Sequence, residues 1–586
     1  MIKKRSTAPT RRLQAFKQDF NRVITQSSRQ EDKDYRTPLQ LLVIATYLNR
    51  LNFIDYINTH LTWDKTQWKH SPGVLAQLLV LLPFLSSHGK VPLSRIHEAY
   101  ADIDLELLVG EPIDPAELND DQFGRLLDRI HASGCATLFS SLALTVRLKF
   151  DLPENYVLHS DTTSHILYGD YRTEAGAPAP PLLINYGYSK DKRKDLKQIM
   201  TGMVTDGDGL VKFCRTLDGN TADCDYNHQQ LQILQDFYGP HFKQYVYIAD
   251  SKLLNEPNLR VLMAGDKPIP FISRIPESFH KKLAERMRTL AFTKDEWLHL
   301  GQCCESTPGP DSPSYDVMCI PANVFGMACY AHVIRKCGKS AKVEEKISAE
   351  KEVLLDELKK ITNKRFVCEP DAVREMAAFM KTHSDGLVLP VLSVESDVTT
   401  KQPRGRPGKT QKILNVVTQW RIGYSGISLQ SGRIQEETNK SASFILLTNI
   451  HPDKKSSREI LVQYKSQSKV ERNFTLLKDP LVAATIFLEK VERIEALMCL
   501  LYFSVLMHGI IRVITRIELA HEIEPPRINS NNRPLIRPSS DTMIWILSLF
   551  TVISNQERFE IVPMMKDRGE QLPLILRLVR LDPNFM

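Results

Sequence analysis

Residues 155–161 read NYVLHSD and residues 244–250 read QYVYIAD, so each is a short apolar or aromatic run that ends in an aspartate. Such runs, bounded by turn-forming residues, predict central β-strands. Asp161 and Asp250 would then stand where the strands end, at the edge of a sheet. An acid in this position is often only a cap for the following turn, and that interpretation stays open for either residue alone.

The segments around these two runs predict a mixed α/β sheet. Short β-rich stretches occupy 181–189, 199–206 and 210–220, and a helical stretch at 222–239 separates them from the second aspartate. A further helix at 251–264 and a strand at 268–276 follow. Strands that alternate with helices in this way are typical of a sheet with crossover connections.

The chain before the sheet predicts an all-helical module. Residues 36–152 carry repeated apolar patterns of helical period, and the segment LNDDQFGRLLDRIHASG has Asn119 or Asp120 as a candidate N-cap and Gly134 as a stop. We expect this module to have its own core. Residues 1–35 are basic and predict a mobile arm.

The chain after the sheet predicts an insertion. Residues 281–455 contain a charged helix, a Pro/Gly-rich basic loop at 401–412 and strand-like runs, as an inserted α+β domain would. The sheet domain, which begins with residues 153–280, would resume at 456–525. Residues 526–586 form a poorly defined tail, and the hypothesis for it is dimerisation or contact with a partner.

The overall composition is that of an ordinary soluble globular protein. The chain has 586 residues, of which 42% are hydrophobic and 25% are charged. Its longest apolar run, Ala496–Met507, is followed by His508, which predicts a buried core helix and not a membrane span. The ten cysteines include no C-x-x-C pair, so we expect reduced thiols and no zinc site.

The positive charge is concentrated in three stretches, although the net charge of +7 is modest for this length. They are 1–18, 190–197 and 401–412. Any one of them could be a solvated loop, but together they favour a polyanionic partner. PRGRP at 403–407 resembles an AT-hook core that enters an A·T minor groove; a flexible basic linker touching phosphate is the alternative. The candidate DNA-binding residues in these stretches are Lys190, Lys192, Arg193, Lys194, Arg404 and Arg406.

The stretch 464–478, YKSQSKVERNFTLLK, predicts a helix with an unusual polar stripe. At about 100° per residue, Tyr464, Gln467, Glu471 and Lys478 line up beside an apolar face formed by Val470, Phe474 and Leu477. A solvated helix usually scatters its charges over the arc opposite the apolar stripe. The alignment therefore indicates a functional surface.

The three acids together predict a metal centre. If the strands ending at Asp161 and Asp250 are neighbours and the helix bearing Glu471 crosses them, the carboxylates would hold two Mg²⁺ ions. Such a pair of ions clamps the attacking and leaving oxygens of a phosphodiester displacement.

Other acids and histidines have simpler interpretations. Glutamates on the charged helix alternate with lysines and predict a solvated face; these are Glu344, Glu345, Glu350, Glu352 and Glu357. Asp206, Asp208 and Asp218 lie in Gly-containing turns. Asp223 is interpreted as structural, and His159 and His165 as packed histidines, with an orienting role beside Asp161 as the alternative.

Several motifs now give the chain a family resemblance. Tyr464, Glu471 and Lys478 match Y-x2-R-x3-E-x6-K, and HSDTTSHILYGDY, YGYSKDKRKDLKQIM, LDGNTAD, IADSKL and LNDDQFGRLLDRIHASG point the same way. From about residue 36 to 515 the chain resembles the DDE transposases of bacterial insertion sequences. Gln467 departs from the pattern, because it stands where that group usually has arginine, and it lacks the bidentate phosphate clamp of that side chain.

The resemblance implies a fold and an activity. The fold would be a ribonuclease H-like mixed-sheet core interrupted by a β-rich insertion. The activity would be binding of terminal inverted repeats, metal-dependent cleavage and joining of 3′-OH ends to target DNA. Asp161, Asp250 and Glu471 would be catalytic and would bind two Mg²⁺ ions, for which Mn²⁺ can substitute. Tyr464, Gln467 and Lys478 would contact DNA phosphates.

The resemblance also implies partners and a location. The expected partners are DNA and a second copy of the chain in the DNA complex, with no membrane, and the expected location is the bacterial cytoplasm, at the nucleoid. Two alternatives remain: a ribonuclease H-like nuclease without strand transfer, and a domesticated, catalytically inactive DNA-binding protein.

Overall fold

The computed structural model describes residues 34–85, 91–171, 180–188, 193–265, 267–277, 281–303, 312–337, 341–401, 415–478, 488–528, 533–555 and 559–581. The predicted basic arm lies outside the described residues, apart from its last two positions, and so does most of the loop at 401–412. The chain forms two compact units: residues 1–273 with 459–586, and residues 274–458. The predicted insertion, 281–455, lies within the second range.

The strands are β1 Tyr35–Pro38, β2 Val157–Leu167, β3 Lys197–Asp206, β4 Val211–Leu217, β5 Val246–Ala249, β6 Phe271–Arg274, β7 Leu298–Gln302, β8 Ser314–Val324, β9 Met327–Lys336, β10 Val388–Lys401, β11 Asn415–Leu429, β12 Ser443–Thr448, β13 Phe550–Ser554 and β14 Phe559–Pro563. The α-helices are Leu39–Arg50, Phe53–His60, Pro72–Leu81, Ile96–Ala99, Leu105–Val109, Asp120–Ala132, Cys135–Ala143, Val146–Lys149, Asp223–Tyr238, Glu256–Leu262, Lys281–Lys294, Ala341–Thr362, Glu369–His383, Ser431–Ala442, Ser457–Lys465, Ser468–Lys478, Val491–Leu519, Ser540–Ser548 and Leu572–Leu578.

The sheet of the first unit is mixed, as the sequence predicts. Its order is β4-β3-β2-β5-β6. β2, β3 and β4 are joined by antiparallel pairings, whereas β5 and β6 run parallel to β2. The two parallel pairings need crossovers, which the helices Asp223–Tyr238 and Glu256–Leu262 provide.

Two strand predictions were wrong. The segment predicted as a strand at 181–189 forms only an isolated bridge between Asn185 and Gln198 among its described residues. The first strand does not end at Asp161, because β2 continues to Leu167 and stays paired with β3 throughout. The residues after Asp161, TTSHIL, include β-branched side chains that suit this ladder, but they lack the apolar density from which a strand is predicted.

The predicted all-helical module does not have a core of its own, and that expectation was wrong. Buried side chains from residues 39–152 belong to one cluster with the helix Val491–Leu519 and with the C-terminal residues up to Leu581. Tyr47 illustrates this, because its hydroxyl donates to the carbonyl of Val579 at 2.8 Å. The helix Leu39–Arg50 buries residues 39–48 without interruption, so it needs partners on every side.

The C-terminal tail is ordered where the structure describes it. Its strand β13 pairs with β1 on one side and β14 on the other, and both pairings are antiparallel. The N-terminal segment is therefore not purely helical. The prediction of a poorly defined tail failed because its stability comes from pairing with residues at the other end of the chain.

The helix Val491–Leu519 is the centre of the first unit. It is longer than the apolar run from which it was predicted, and among the described residues it is the one helix long and apolar enough to cross a membrane. Its most apolar window is wholly buried inside the protein. The prediction of a buried core helix is confirmed.

Among its described residues, the second unit contains the strands β7 to β12 and four helices. β12, β9, β8 and β7 follow one another in antiparallel pairings, and β10 and β11 form a separate antiparallel ribbon. The helix Ala341–Thr362 covers this ribbon, with Leu354, Leu358 and Ile361 buried against Val388 and Ile422. The charged helix of the sequence therefore has one apolar face.

Candidate active site

The parallel pairing of β2 with β5 brings Asp161 and Asp250 to corresponding positions. The last pair in that ladder is Ser160 with Ala249, and the next residues on the two strands are Asp161 and Asp250. Neighbouring strands lie about 4.8 Å apart. Both acids are half-buried. The two acids therefore occupy neighbouring backbone positions at the point where the parallel ladder ends.

Backbone donors hold one oxygen of each carboxylate. The Asp161 Oδ1 accepts from the amide of Thr162 at 2.8 Å, and the Asp250 Oδ1 accepts from the amide of Lys252 at 3.1 Å. Asp250 thereby caps the short 3-10 turn Ser251–Leu253, so the cap interpretation is correct for this oxygen. Ser273 also donates to the Asp250 carbonyl at 2.7 Å. These bonds orient both acids.

Asp223 lies beside the same strand. It is the first residue of the helix Asp223–Tyr238, and its Oδ1 accepts a hydrogen bond from the Thr162 hydroxyl. Thr162 is the neighbour of Asp161 along β2. The prediction that Asp223 is structural agrees with this hydrogen bond, but the sequence alone did not indicate that Asp223 lies next to the candidate site. The topology places it there, because the helix Asp223–Tyr238 connects the antiparallel strands to β5.

The predicted single helix over 464–478 was wrong, because the chain forms two helices there. The first is Ser457–Lys465 and the second is Ser468–Lys478. Between them the Ser466 hydroxyl donates to the Gln463 carbonyl at 2.7 Å, and the Gln467 amide bonds to the Tyr464 carbonyl at 3.1 Å. Serine hydroxyls that bond back to the preceding turn compete with helical hydrogen bonds and bend helices.

The break divides the polar stripe between three local structures. Tyr464 lies at the end of the first helix, Gln467 in the turn, and Glu471 and Lys478 on the second helix. Glu471 is exposed, whereas the other three are half-buried. On the second helix the buried residues include Val470, so Glu471 is next to the buried face.

Three contacts anchor the second helix on the sheet. The Ser466 hydroxyl is 2.8 Å from the Nε2 atom of His159 in β2. Lys469 donates to the carbonyl of Gly207, and Asn473 donates to the carbonyl of Gly209 at 3.0 Å. The helix thus packs on β2 and on the turn after β3. Sequence reasoning missed these anchors, since no local pattern around Ser466, Lys469 or Asn473 indicates a distant partner.

His159 is the histidine nearest to the paired acids along β2, and it is fully buried. Burial, with the nearby Lys469 charge, lowers the pKa of His159 to about 3. It is therefore neutral at physiological pH and acts as a packed hydrogen-bonding group between strand and helix. His165 is also buried, with its Nε2 atom 3.0 Å from the Thr201 hydroxyl.

Of the six candidate residues in the basic stretches, Arg193 and Lys194 can be placed. The other four, Lys190, Lys192, Arg404 and Arg406, lie outside the described residues. Lys194 is exposed. Arg193 is also exposed and forms a bidentate pair with Asp195, with distances of 2.9 Å and 2.7 Å. This guanidinium lowers the pKa of Asp195 to about 2. A DNA phosphate would therefore have to displace the Asp195 carboxylate in order to bind Arg193.

The competing acids lie elsewhere. Glu344, Glu345 and Glu352 are exposed on the helix Ala341–Thr362. Asp206 and Asp208 share Arg147, which donates to Asp206 at 2.8 Å and to Asp208 at 2.7 Å. These two aspartates do shape a turn, as predicted, but they also form a buried ion-pair network that the sequence did not indicate.

Comparisons with known proteins are limited. Residues 39–144 match the family model of a domain of unknown function (DUF4277). No curated protein matches the chain. Among solved structures the chain is similar to piggyBac transposase in a synaptic complex with hairpin DNA, at 9% sequence identity and a TM-score of 0.33. That match covers 88% of this chain and 82% of the other. A similarity this weak carries no argument about fold or function.

Proposed function

We propose that the protein is a DDE-type DNA transposase with a ribonuclease H-like core. One observation carries the proposal: the parallel register that sets Asp161 beside Asp250, next to a helix that packs on β2 and bears Glu471. Carboxylates from neighbouring positions at the end of a parallel ladder, with Glu471 as a third from this helix, would form an oxygen-rich site of the kind that hard divalent cations require.

The acids present fit Mg²⁺. Asp161 and Asp250 are half-buried, their orientation is set by backbone amides, and they offer carboxylate oxygens. With Glu471 they would hold two ions, and Mn²⁺ would substitute because it accepts similar oxygen ligands. Bound ions of this kind supply the charge that stabilises the attacking and leaving oxygens of a phosphodiester displacement.

Other residues of the chain would bind and position DNA. Lys478 would offer a point charge to a phosphate, and Tyr464 and Gln467 would donate neutral hydrogen bonds. Residues 36–152 would read the terminal inverted repeats, and the freed 3′-OH ends would be joined to target DNA in a homodimeric complex. Tyr464 and Gln467 are half-buried and lie on either side of Ser466, whose hydroxyl bond to Gln463 stabilises the turn between the two helices.

The decisive experiment compares Glu471→Gln with Glu345→Gln. The first substitution keeps the shape of the candidate third ligand and removes its charge, whereas the second removes a charge from the exposed face of the helix Ala341–Thr362. The measurement is nicking of labelled DNA taken from the flanks of the gene, followed by joining of those ends to a plasmid in Mg²⁺. We expect Glu471→Gln to lose both steps by at least about 10³-fold while it still binds the DNA.

Three outcomes would contradict the proposal. If wild-type protein nicks but never joins ends, it is a nuclease without strand transfer. If it binds these DNA ends but does neither in Mg²⁺ or Mn²⁺, it is a DNA-binding protein without this chemistry. If Glu345→Gln fails while Glu471→Gln cuts normally, the acid on the helix Ser468–Lys478 is not the third ligand.

A further inference from the structure

A cluster of metal-ligating side chains lies in the helical part of the first unit, away from the paired aspartates. His131 ends the helix Asp120–Ala132, and Cys135 begins the helix Cys135–Ala143. Glu495 faces them from the helix Val491–Leu519. One ligand atom from each of these three residues lies within 4.8 Å of the other two.

Cys499 extends this cluster to four residues. It follows Glu495 by one helical turn, so the two side chains share a face of the helix. The Cys499 Sγ lies 3.4 Å from the Cys135 carbonyl oxygen, and its thiol also interacts with the Cys135 thiol. Both cysteines are buried, with 6% and 1% of their surface exposed.

His131 contributes a buried ring nitrogen to the cluster. Its Nδ1 atom lies 3.1 Å from the Glu495 Oε2. Neutral imidazole is a common metal ligand, so a metal ion between these two side chains would have both as ligands.

We propose that His131, Cys135, Glu495 and Cys499 bind one structural Zn²⁺ ion. Zinc is the metal that suits a mixed set of sulfur, nitrogen and oxygen donors in four-coordinate, tetrahedral geometry. The ligand atoms of His131, Cys135 and Glu495 need only small movements, since ligands at 2.0–2.3 Å from zinc are roughly 3.5 Å apart. The Cys499 thiol would turn away from the Cys135 carbonyl to complete the set. The site is independent of the proposed transposase activity.

The position of the site indicates what the ion would do. The helices Asp120–Ala132 and Val491–Leu519 are already joined near this point by Arg493, which forms a bidentate pair with Asp128 at 2.7 Å for both bonds. A zinc ion one turn further along would fix the same helix pair with bonds far stronger than an exposed ion pair. It would thus fasten residues 120–143 to the central helix.

A second group of potential ligands serves as a comparison. His299, Asp316 and Cys337 also approach one another in the second unit. Arg335, however, donates to Asp316 at 2.8 Å and so already supplies the positive charge, and His299 is 67% exposed. This group has a structural explanation and is not proposed as a metal site.

The test measures metal in the full-length protein purified without chelators. We expect about one zinc ion per chain by mass spectrometry, and its loss in Cys135→Ser and Cys499→Ser. Cys329→Ser, which changes a buried thiol of the second unit, is the matched control and should retain the ion. After chelation, Co²⁺ should restore the site and give thiolate-to-cobalt charge-transfer absorption in the wild type and the control only.

Two further variants keep the test decisive. His131→Gln changes a partly exposed side chain, so it should fold even if the cysteine variants do not, and it should lower zinc occupancy at least about tenfold. Asp161→Asn should keep the zinc, which separates this site from the proposed Mg²⁺ site. Equal zinc content in the cysteine variants and the control would overturn the proposal. So would a disulfide between Cys135 and Cys499, seen as a pair of missing thiols in the denatured chain.

Discussion

Individual buried histidines make the first unit sensitive to acid. His508 is buried in the central helix and stacks on Phe84 with ring centroids 4.8 Å apart. Burial, helped by the charge of Arg512, lowers the pKa of His508 to about 3. His159 has the same pKa for similar reasons. Both rings therefore stay neutral in the folded state at pH values where an unfolded chain would protonate them.

The free energy of unfolding should fall as the pH drops below about 6.5, the ordinary histidine pKa. Between that pH and about 3 the unfolded state binds more protons, so stability decreases by roughly 1.4 kcal/mol per pH unit for each such histidine. Urea unfolding of wild type and His508→Gln across this range measures the slope. We expect a smaller slope in the variant.

His97→Gln is the control for this prediction, because His97 is 43% exposed. Its pH dependence should parallel that of the wild type. If His508→Gln gave the wild-type slope as well, His508 would not be buried in its neutral form.

At the scale of elements, Arg147 joins the helical region to the sheet. It is 2% exposed, and from the helix Val146–Lys149 it donates to Asp206 at the end of β3, to Asp208 and to the Pro153 carbonyl. Burial raises the pKa of Asp206, and the charge of Arg147 is the main influence that opposes this rise. The turn after β3, which also receives Lys469 and Asn473, depends on this arrangement.

Arg147→Met should destabilise the first unit by about 3–5 kcal/mol, because it leaves the Asp206 carboxylate buried without its main partner. Denaturant unfolding followed by circular dichroism measures the effect. Arg193→Met removes an exposed pair of similar geometry and should have a far smaller effect, because solvent screens that pair. Equal effects of the two substitutions would show that the buried network contributes no more than a surface pair.

At the scale of the whole molecule, charge should govern DNA binding. The net charge is +7, and the predicted contacts are dispersed lysines and arginines. If the proposed function is correct, log K should fall linearly with log salt by about 0.9 for each phosphate contact. Replacing Lys190, Lys192 and Lys194 together with glutamine should reduce this slope.

The matched control replaces three lysines of the helix Ala341–Thr362, Lys346, Lys351 and Lys359, with glutamine. Lys346 and Lys359 are already paired, with Glu437 and Asp356, each at 2.9 Å. Fluorescence anisotropy titrations at several salt concentrations compare the two variants. An identical loss of slope in both would mean that only net charge matters and that the 190–197 stretch has no specific contact.

The candidate site was predictable from sequence only in part. Asp161, Asp250 and Glu471 were identified because acids after apolar runs and polar residues in a helical stripe are local patterns. Their roles remain predictions. The proximity of Asp223 to β2 was not predictable, because it depends on a hydrogen bond between residues distant in the chain. Nor was the break at Ser466, where a local bond to Gln463 is joined by a contact with the distant His159.

Sequence alone determined the mixed character of the first sheet and the buried central helix, since hydrophobic period and turn residues act locally. Only the tertiary structure decided that residues 39–152 share a core with the C-terminal segment and that β1 pairs with β13. It also brought His131 and Cys135 to Glu495. Such pairings depend on packing between segments hundreds of residues apart, for which no local pattern exists.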